Sequence, residues 1–250
     1  MKKTALLTCL IILMTFVSTR AQENVQEAIG FNDRGVAQMN ARKYEAAIDS
    51  FNKALNLQPN YATAYYNLGS AFYFLKQFEK AVPSFQKAIK LNPSYPEAYN
   101  QLGVTYTETR QYEKALKAFK EAIRLRPNGV MPYYNLGCTY IRINDFKAAT
   151  VALGQAKKLD PSNSEIRLNL GYAYGRQKNY NEAIAEMRQA VNLNQNYADA
   201  QFHLGILYLL LKDKQSALAQ YNAVKSLDSE LAQRLYQAIY QDKIISAASL

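Results

Sequence analysis

From residue 28 onward the apolar and polar positions of the chain recur every 34 residues. With residue 28 as position 1, six copies follow, at 28–61, 62–95, 96–129, 130–163, 164–197 and 198–231. In each copy the apolar positions 4, 7, 8 and 11 stand at i, i+3, i+4 and i+7, and positions 20, 24 and 27 at i, i+4 and i+7. Both sets form one face of an α-helix, so each copy predicts a helix A and a helix B. Position 8 is Gly35, Gly69, Gly103, Gly137, Gly171 and Gly205, and position 20 is Ala47, Ala81, Ala115, Ala149, Ala183 and Ala217. Position 24 is large (Phe51, Phe85, Phe119, Leu153, Met187, Tyr221), and position 17 is aromatic in five copies.

Local signals place the helix ends. Asp145, Asn179 and Asp213 precede helix B as N-cap candidates. Pro59, Pro93, Pro127 and Pro161 stop it at position 32, because proline and its preceding residue resist helical continuation. Pro83 falls inside a predicted helix B and is expected to kink it slightly on its outer side. A glycine inside a helix costs roughly 0.5–1 kcal/mol against alanine, so six in register need a compensating contact. Gly at 8 facing Ala at 20 would bring the two helices close, with the large residues at 4, 17 and 24 filling the space beside them.

This pattern closely resembles the tetratricopeptide repeat family. The resemblance rests on Tyr99-Asn100-Gln101-Leu102-Gly103-Val104-Thr105-Tyr106, followed by Ala115, Phe119, Ala122 and Pro127. It implies an all-α fold, a right-handed α-solenoid of six 34-residue helix-turn-helix repeats. The pentatricopeptide family has a 35-residue period and a different residue pattern, so the invariant 34 counts against it. The terminal copies depart from the pattern: Arg34 and Gln38 replace apolar residues in the first, as suits an outward-facing end. Arg167 and Gln201 take position 4 in the last two, and Gln195 and Ser229 replace the proline. Leu235, Ala238 and Ile239 then recur at helical spacing, so 232–250 reads as a capping helix and tail.

The first residues follow another pattern. Lys2 and Lys3 precede an uncharged, largely apolar run from Thr4 to Val17, and Thr19-Arg20-Ala21 offers small residues at −3 and −1. Residues 1–21 thus read as a signal peptide, with 22–27 as a short lead-in and export to the periplasm or exterior as the expectation. The run is shorter than the roughly 20 residues that span a bilayer, so no stable membrane insertion is expected after cleavage. An uncleaved signal anchor is the alternative. Cleavage lowers the formal charge from +10 to +7 and removes Cys9, leaving Cys138 without a disulfide partner. The densest basic stretch, 114–126, has helical spacing with Glu113 and Glu121 interspersed, and reads as a solvated helix face rather than a nucleic-acid footprint.

The resemblance directs the search for function to positions 2, 5, 6, 9, 12 and 13 of helix A. Position 6 runs Asp33, Asn67, Gln101, Asn135, Asn169, His203. An amide offers donors and an acceptor, which matches the backbone of an extended peptide. Tyr66, Tyr134 and Phe202 at position 5 and Tyr73 at position 12 add bulky anchors. The set Asn67, Gln101, Asn135, Asn169, His203, Tyr66, Tyr134, Tyr73 and Phe202 is therefore the candidate peptide-binding lining. The chaperone-tail clamp of the family needs Lys at 5 and Asn at 9 of one repeat, then Asn, Lys and Arg at set positions of the next two. Of these only Asn67 is present. One histidine and no Cys/His cluster or glycine-rich phosphate loop leave catalysis, metals and cofactors unsupported. The expectation is a non-enzymatic scaffold with a protein or peptide partner. Self-association through the convex face or the cap, where Ile244-Ile245 lies, is the second reading.

Overall fold

The computed structural model describes residues 2–240, with side chains at Arg20 and from 22 onward. Met1 and 241–250, including Ile244-Ile245, lie outside the described residues, as do the side chains of 2–19 and 21, which carry most of the signal-peptide reading. The described chain is all-helical, with thirteen helices and no strand. The A helices are α1 (Lys2–Asn40), α3 (Ala62–Phe74), α5 (Pro96–Glu108), α7 (Val130–Arg142), α9 (Ser164–Arg176) and α11 (Ala198–Leu210). The B helices are α2 (Tyr44–Leu57), α4 (Phe78–Leu91), α6 (Tyr112–Leu125), α8 (Phe146–Leu159), α10 (Tyr180–Leu193) and α12 (Lys214–Lys225). A final helix, α13 (Ser229–Tyr240), begins three residues before the start of the cap inferred from the repeat arithmetic. Among the residues whose side chains are described, from 22 onward, no helix is long and apolar enough to cross a membrane.

Contacts divide the chain into two compact units, residues 1–114 and 115–250. In the first, Ala28, Ala47, Phe51, Ala54, Ala64, Leu68 and Ala71 form one buried cluster, with Phe31, Tyr65 and Phe72 packed against it. In the second, Ala149, Leu153, Leu170 and Ala173 form one cluster, and Met187, Leu204, Leu207, Val224, Leu235 and Ile239 belong to another. The position-20 alanines are all fully buried.

The recurring glycine serves a different neighbour from the one expected. A Cβ at Gly69 would lie 2.9 Å from the Phe85 ring, one at Gly137 2.5 Å from Leu153 Cγ, and one at Gly35 would clash with the Phe51 ring. These are position-24 side chains, one helical turn beyond the alanine. The glycine is thus a socket for a large side chain of helix B, and the alanine at 20 only permits its approach. Gly171 also meets position 20, at 3.1 Å from the Ala183 carbonyl oxygen. In the last repeat the socket is filled by Leu235 of α13, 2.8 Å from the built Cβ of Gly205. Tyr221, at position 24 there, packs instead on Tyr236, with ring centroids 5.8 Å apart.

The A-to-B turn carries a left-handed residue at position 15 in all six repeats: Arg42, Lys76, Arg110, Asn144, Lys178 and Lys212, with φ between 58° and 65°. Its N–H and the next one bond back to the end of helix A, as in Arg42 N to Met39 O at 2.9 Å and Lys43 N to Gln38 O at 2.8 Å. This double closure satisfies carbonyls that the helix end would leave open. Asp145 and Asp213 cap helix B by accepting from Ala148 N and Ser216 N, each at 3.0 Å. Asn179 makes no such bond, while Asn163 caps α9 by accepting from Glu165 N and Ile166 N. Pro83 sits on the exposed side of α4, which runs unbroken through it. The basic residues Lys114, Lys117, Lys120, Arg124 and Arg126 are exposed, as a solvated face requires.

The polar residues at position 4 also find their reason. Arg167 donates from Nε and Nη2 to the Pro161 carbonyl at 3.1 and 2.9 Å, and Gln201 donates from Nε2 to the Gln195 carbonyl at 2.7 Å. Both acceptors are position 32 of the preceding repeat, so each side chain ties a repeat to the turn before it. Arg167 Nη1 also pairs with Glu186 Oε2 at 2.9 Å, and Lys157 Nζ pairs with Glu186 Oε1 at 2.5 Å. Side-chain exposure is 17%, 14% and 31% for Arg167, Glu186 and Lys157. Removing the shared acid from a fully buried pair costs about 3–5 kcal/mol, and partial exposure reduces that here. Glu186→Ala is expected to lose about 1–2 kcal/mol in urea unfolding, with only a weak salt dependence. A loss below about 0.3 kcal/mol would reduce the triad to an ordinary surface pair.

Candidate interaction surfaces on the A helices

Residues at positions 2, 6, 9 and 13 of an A helix stand at i, i+4, i+7 and i+11, within about 60° of one another around the axis. They form one stripe. In residues 1–114 the stripe of α3 is Thr63, Asn67, Ser70, Phe74, and that of α5 is Glu97, Gln101, Val104, Glu108. In residues 115–250 the stripes are Met131, Asn135, Cys138, Arg142 on α7; Glu165, Asn169, Tyr172, Arg176 on α9; and Asp199, His203, Ile206, Leu210 on α11.

In the first unit Asn67 Nδ2 donates to Asn32 Oδ1 of α1 at 2.8 Å, joining position 6 of one repeat to position 5 of the repeat before. Gln101 accepts from Asn100 Nδ2 at 3.4 Å, beside it on α5. Tyr66 is half-buried, its ring 5.1 Å from Tyr95 and 5.9 Å from Phe85, and burial raises its hydroxyl pKa. Burial pushes Tyr95 up to about 12. Tyr73 packs edge-on to Phe74 at 5.9 Å and against Phe78 at 5.7 Å. Phe74, 54% exposed, stacks parallel on Tyr44 of the preceding repeat at 5.2 Å. Phe74 is thus the exposed member of this aromatic group and Tyr73 is half-buried.

In the second unit the same repeat-to-repeat bond recurs. Asn169 Nδ2 donates to Tyr134 Oη at 3.3 Å and to the Glu165 carbonyl at 3.0 Å, which uses both amide hydrogens. Tyr134 Oη donates to Glu165 Oε2 at 3.5 Å. The Tyr134 pKa lies well above the ordinary tyrosine range, first through burial and then through Cys138 and Glu165. Burial likewise pushes the half-buried Cys138 up to about 11, so its thiol stays protonated and is no nucleophile at neutral pH. Asn135, half-buried, completes the α7 stripe between Met131 and Cys138.

Phe202 does not line open surface. It is 3% exposed, belongs to the core cluster, and lies under Arg234 of α13, whose guanidinium carbon is 4.7 Å from the ring centre. His203 stands edge-on to Tyr172 at 5.9 Å and to Phe202 at 5.3 Å. Its Nδ1 is buried and makes no hydrogen bond among the described residues. Burial drives its pKa down to about 4; Asp199 opposes that shift and Arg234 adds to it.

Two further residues, Arg176 and Tyr197, complete this face. Arg176 lies over the Phe146 ring at 4.5 Å and donates to Tyr172 Oη at 2.8 Å. It occupies the place that Phe74 takes over Tyr44, position 13 on the preceding position 17. Tyr197 precedes α11, and its hydroxyl is raised to about 12 by burial, then by Glu165 and Asp199. The recurrence of tyrosine at position 34, as Tyr61, Tyr95 and Tyr197, is the signal that marks it in the sequence. Among the described residues no group of three or more His, Cys, Asp or Glu could hold a metal ion.

Known proteins can be set against this geometry. Models of the tetratricopeptide repeat match residues 43–75, 62–95, 96–128, 132–163, 176–212 and 199–230. The chain belongs to the tetratricopeptide repeat family. No curated protein matches it significantly. Among solved structures, YrrB, described as a TPR protein with an unusual peptide-binding site, is 23% identical with a TM-score of 0.64 over 75% of this chain and 97% of its own. PilF of Pseudomonas aeruginosa is 20% identical with a TM-score of 0.75 over 86% of this chain and 99% of its own. MamA of Desulfovibrio magneticus RS-1 is 24% identical with a TM-score of 0.64, covering 68% and 96%. These likenesses establish the shared tetratricopeptide fold, which serves as a scaffold for protein–protein interaction.

Proposed function

We propose that this tetratricopeptide repeat protein is an exported, non-enzymatic adaptor that holds a segment of a partner protein on the faces of its A helices. The observation that carries the reading is the recurrence of an amide at position 6, as Asn67, Gln101, Asn135 and Asn169, with Tyr66 and Tyr134 beside it at position 5 of α3 and α7. Half-buried tyrosines supply rigid apolar contact with a polar tip, and amides beside them bond to a peptide backbone. The bonds Asn67–Asn32 and Asn169–Tyr134 orient those amides. YrrB, with its peptide-binding site, is a relative in fold that favours the same use. The adaptor acts in the periplasm or outside the cell after loss of 1–21, takes no cofactor, and has neither nucleic acid nor the membrane interior as a ligand.

Capture from an envelope fraction by the full chain tests this, beside Asn67→Ala/Asn135→Ala/Asn169→Ala with unchanged helicity and melting. Partners held by the wild type and lost by the folded variant support the reading; identical partner sets sink it. Tyr236 and Tyr240 of α13, 39% and 51% exposed, favour a second reading of self-association through the cap. A dimeric mass in sedimentation that Tyr236→Ala/Tyr240→Ala converts to a monomer would establish it.

A further inference from the structure

The A-helix stripes of residues 115–250 have a charge order that those of 1–114 lack. Those of α9 and α11 start acidic, at Glu165 and Asp199, and those of α7 and α9 end basic, at Arg142 and Arg176. The α3 and α5 stripes carry no cation. Glu165 and Arg176 are eleven residues apart on α9, which puts them on the same side of the helix, about 16 Å apart along its axis. Glu165, Asp199 and Arg142 are exposed. Both acids act on the Tyr197 hydroxyl, so they converge at one end of the face. At the other end Arg176 is already oriented by Phe146 and Tyr172. Between the ends, the ring of His203 meets Tyr172, with a buried Nδ1 that makes no hydrogen bond among the described residues.

We propose that this face takes an extended peptide segment with a Lys or Arg side chain against Glu165 and Asp199 and an Asp or Glu side chain, about five residues away, against Arg142 and Arg176. The spacing follows from the rise of about 3.3 Å per residue in an extended chain. Charge-assisted hydrogen bonds at both ends fix register, and the tyrosines between them supply contact area. This inference rests on the adaptor reading and adds the chemistry of the bound segment.

The test uses the full chain and three fluorescein-labelled, end-blocked peptide pools: Lys-X4-Asp, Lys-X4-Lys and Asp-X4-Asp. X is an equimolar mixture of Ala, Ser, Leu, Val and Tyr. Fluorescence anisotropy at low salt should show Lys-X4-Asp bound about tenfold more tightly than either other pool. Glu165→Lys/Asp199→Lys should transfer the preference to Asp-X4-Asp, and Arg142→Glu/Arg176→Glu to Lys-X4-Lys, with helicity and melting checked for each. Equal binding of all pools, lost in Tyr134→Ala, would overturn the charge order and leave the adaptor reading standing. No binding of any pool would overturn the inference, and the capture experiment would then judge the adaptor reading separately.

Discussion

Gly137→Ala is expected to destabilise residues 115–250 by about 2 kcal/mol, while Gly154→Ala in the same helix pair stabilises them by about 0.5–1 kcal/mol. Both glycines are helical, so both substitutions gain the same intrinsic propensity. They differ in what the new methyl group meets. At Gly137 it lies 2.5 Å from Leu153 Cγ, 2.9 Å from Cδ2 and 3.3 Å from the Leu153 backbone nitrogen. Leu153 is fully buried and has nowhere to turn. Overpacking of that kind costs about 3 kcal/mol and outweighs the propensity gain of about 1 kcal/mol. At Gly154 nothing lies within 4 Å, so only the gain remains. Thermal melts should place Gly137→Ala about 4–8 °C below the wild type and Gly154→Ala a few degrees above it. Pairing Gly137→Ala with Leu153→Val should recover part of the loss. Stabilisation by both alanines would refute the socket.

The helix pairs were legible because burial at positions 8, 20, 24 and 27 repeats with the chain's own period. Nothing in that period distinguishes Ala at 20 from the large residue at 24 as the partner of the glycine; only the built Cβ contacts do so. The left-handed residue at position 15 has no such signal, because it is Arg, Lys or Asn in every repeat and no glycine marks it. Arg167 and Gln201 read as departures, yet each bonds a carbonyl of the preceding turn, a contact defined by packing between repeats. The candidate lining divides for the same reason. Tyr134 and Phe202 share position 5, but α13 lies over Phe202 and brings Arg234 onto its ring, whereas Tyr134 keeps its hydroxyl on Asn169 and Glu165. Position in a repeat selects a face; the neighbouring repeat decides what of it is exposed.

That neighbour also decides the charge of the one histidine. His203 is held between Tyr172 and Phe202, with Asp199 on its own helix and Arg234 on α13 as the charged groups around it. Burial outweighs Asp199, and the imidazole titrates near 4 rather than 6.5. Its folded pKa lies below the unfolded value, so the unfolded chain takes up the proton first. The stability gained from burying the neutral ring is fully present above about pH 6.5 and is lost as pH falls toward 4. A shift of that size corresponds to about 3 kcal/mol. The His203 ring resonances should titrate near pH 4, and the stability difference between wild type and His203→Gln should narrow by that order from pH 7 to pH 4.5. A midpoint near 6.5 would show the ring to be solvated. The consequence reaches the proposed ligand: a neutral imidazole places no positive charge beside Asp199, so the acidic end of the face keeps its sign and a basic side chain is not repelled from it. Low-pH protonation of His203 would place a cation there, and the affinity for Lys-X4-Asp should fall more steeply below pH 5 in the wild type than in His203→Gln.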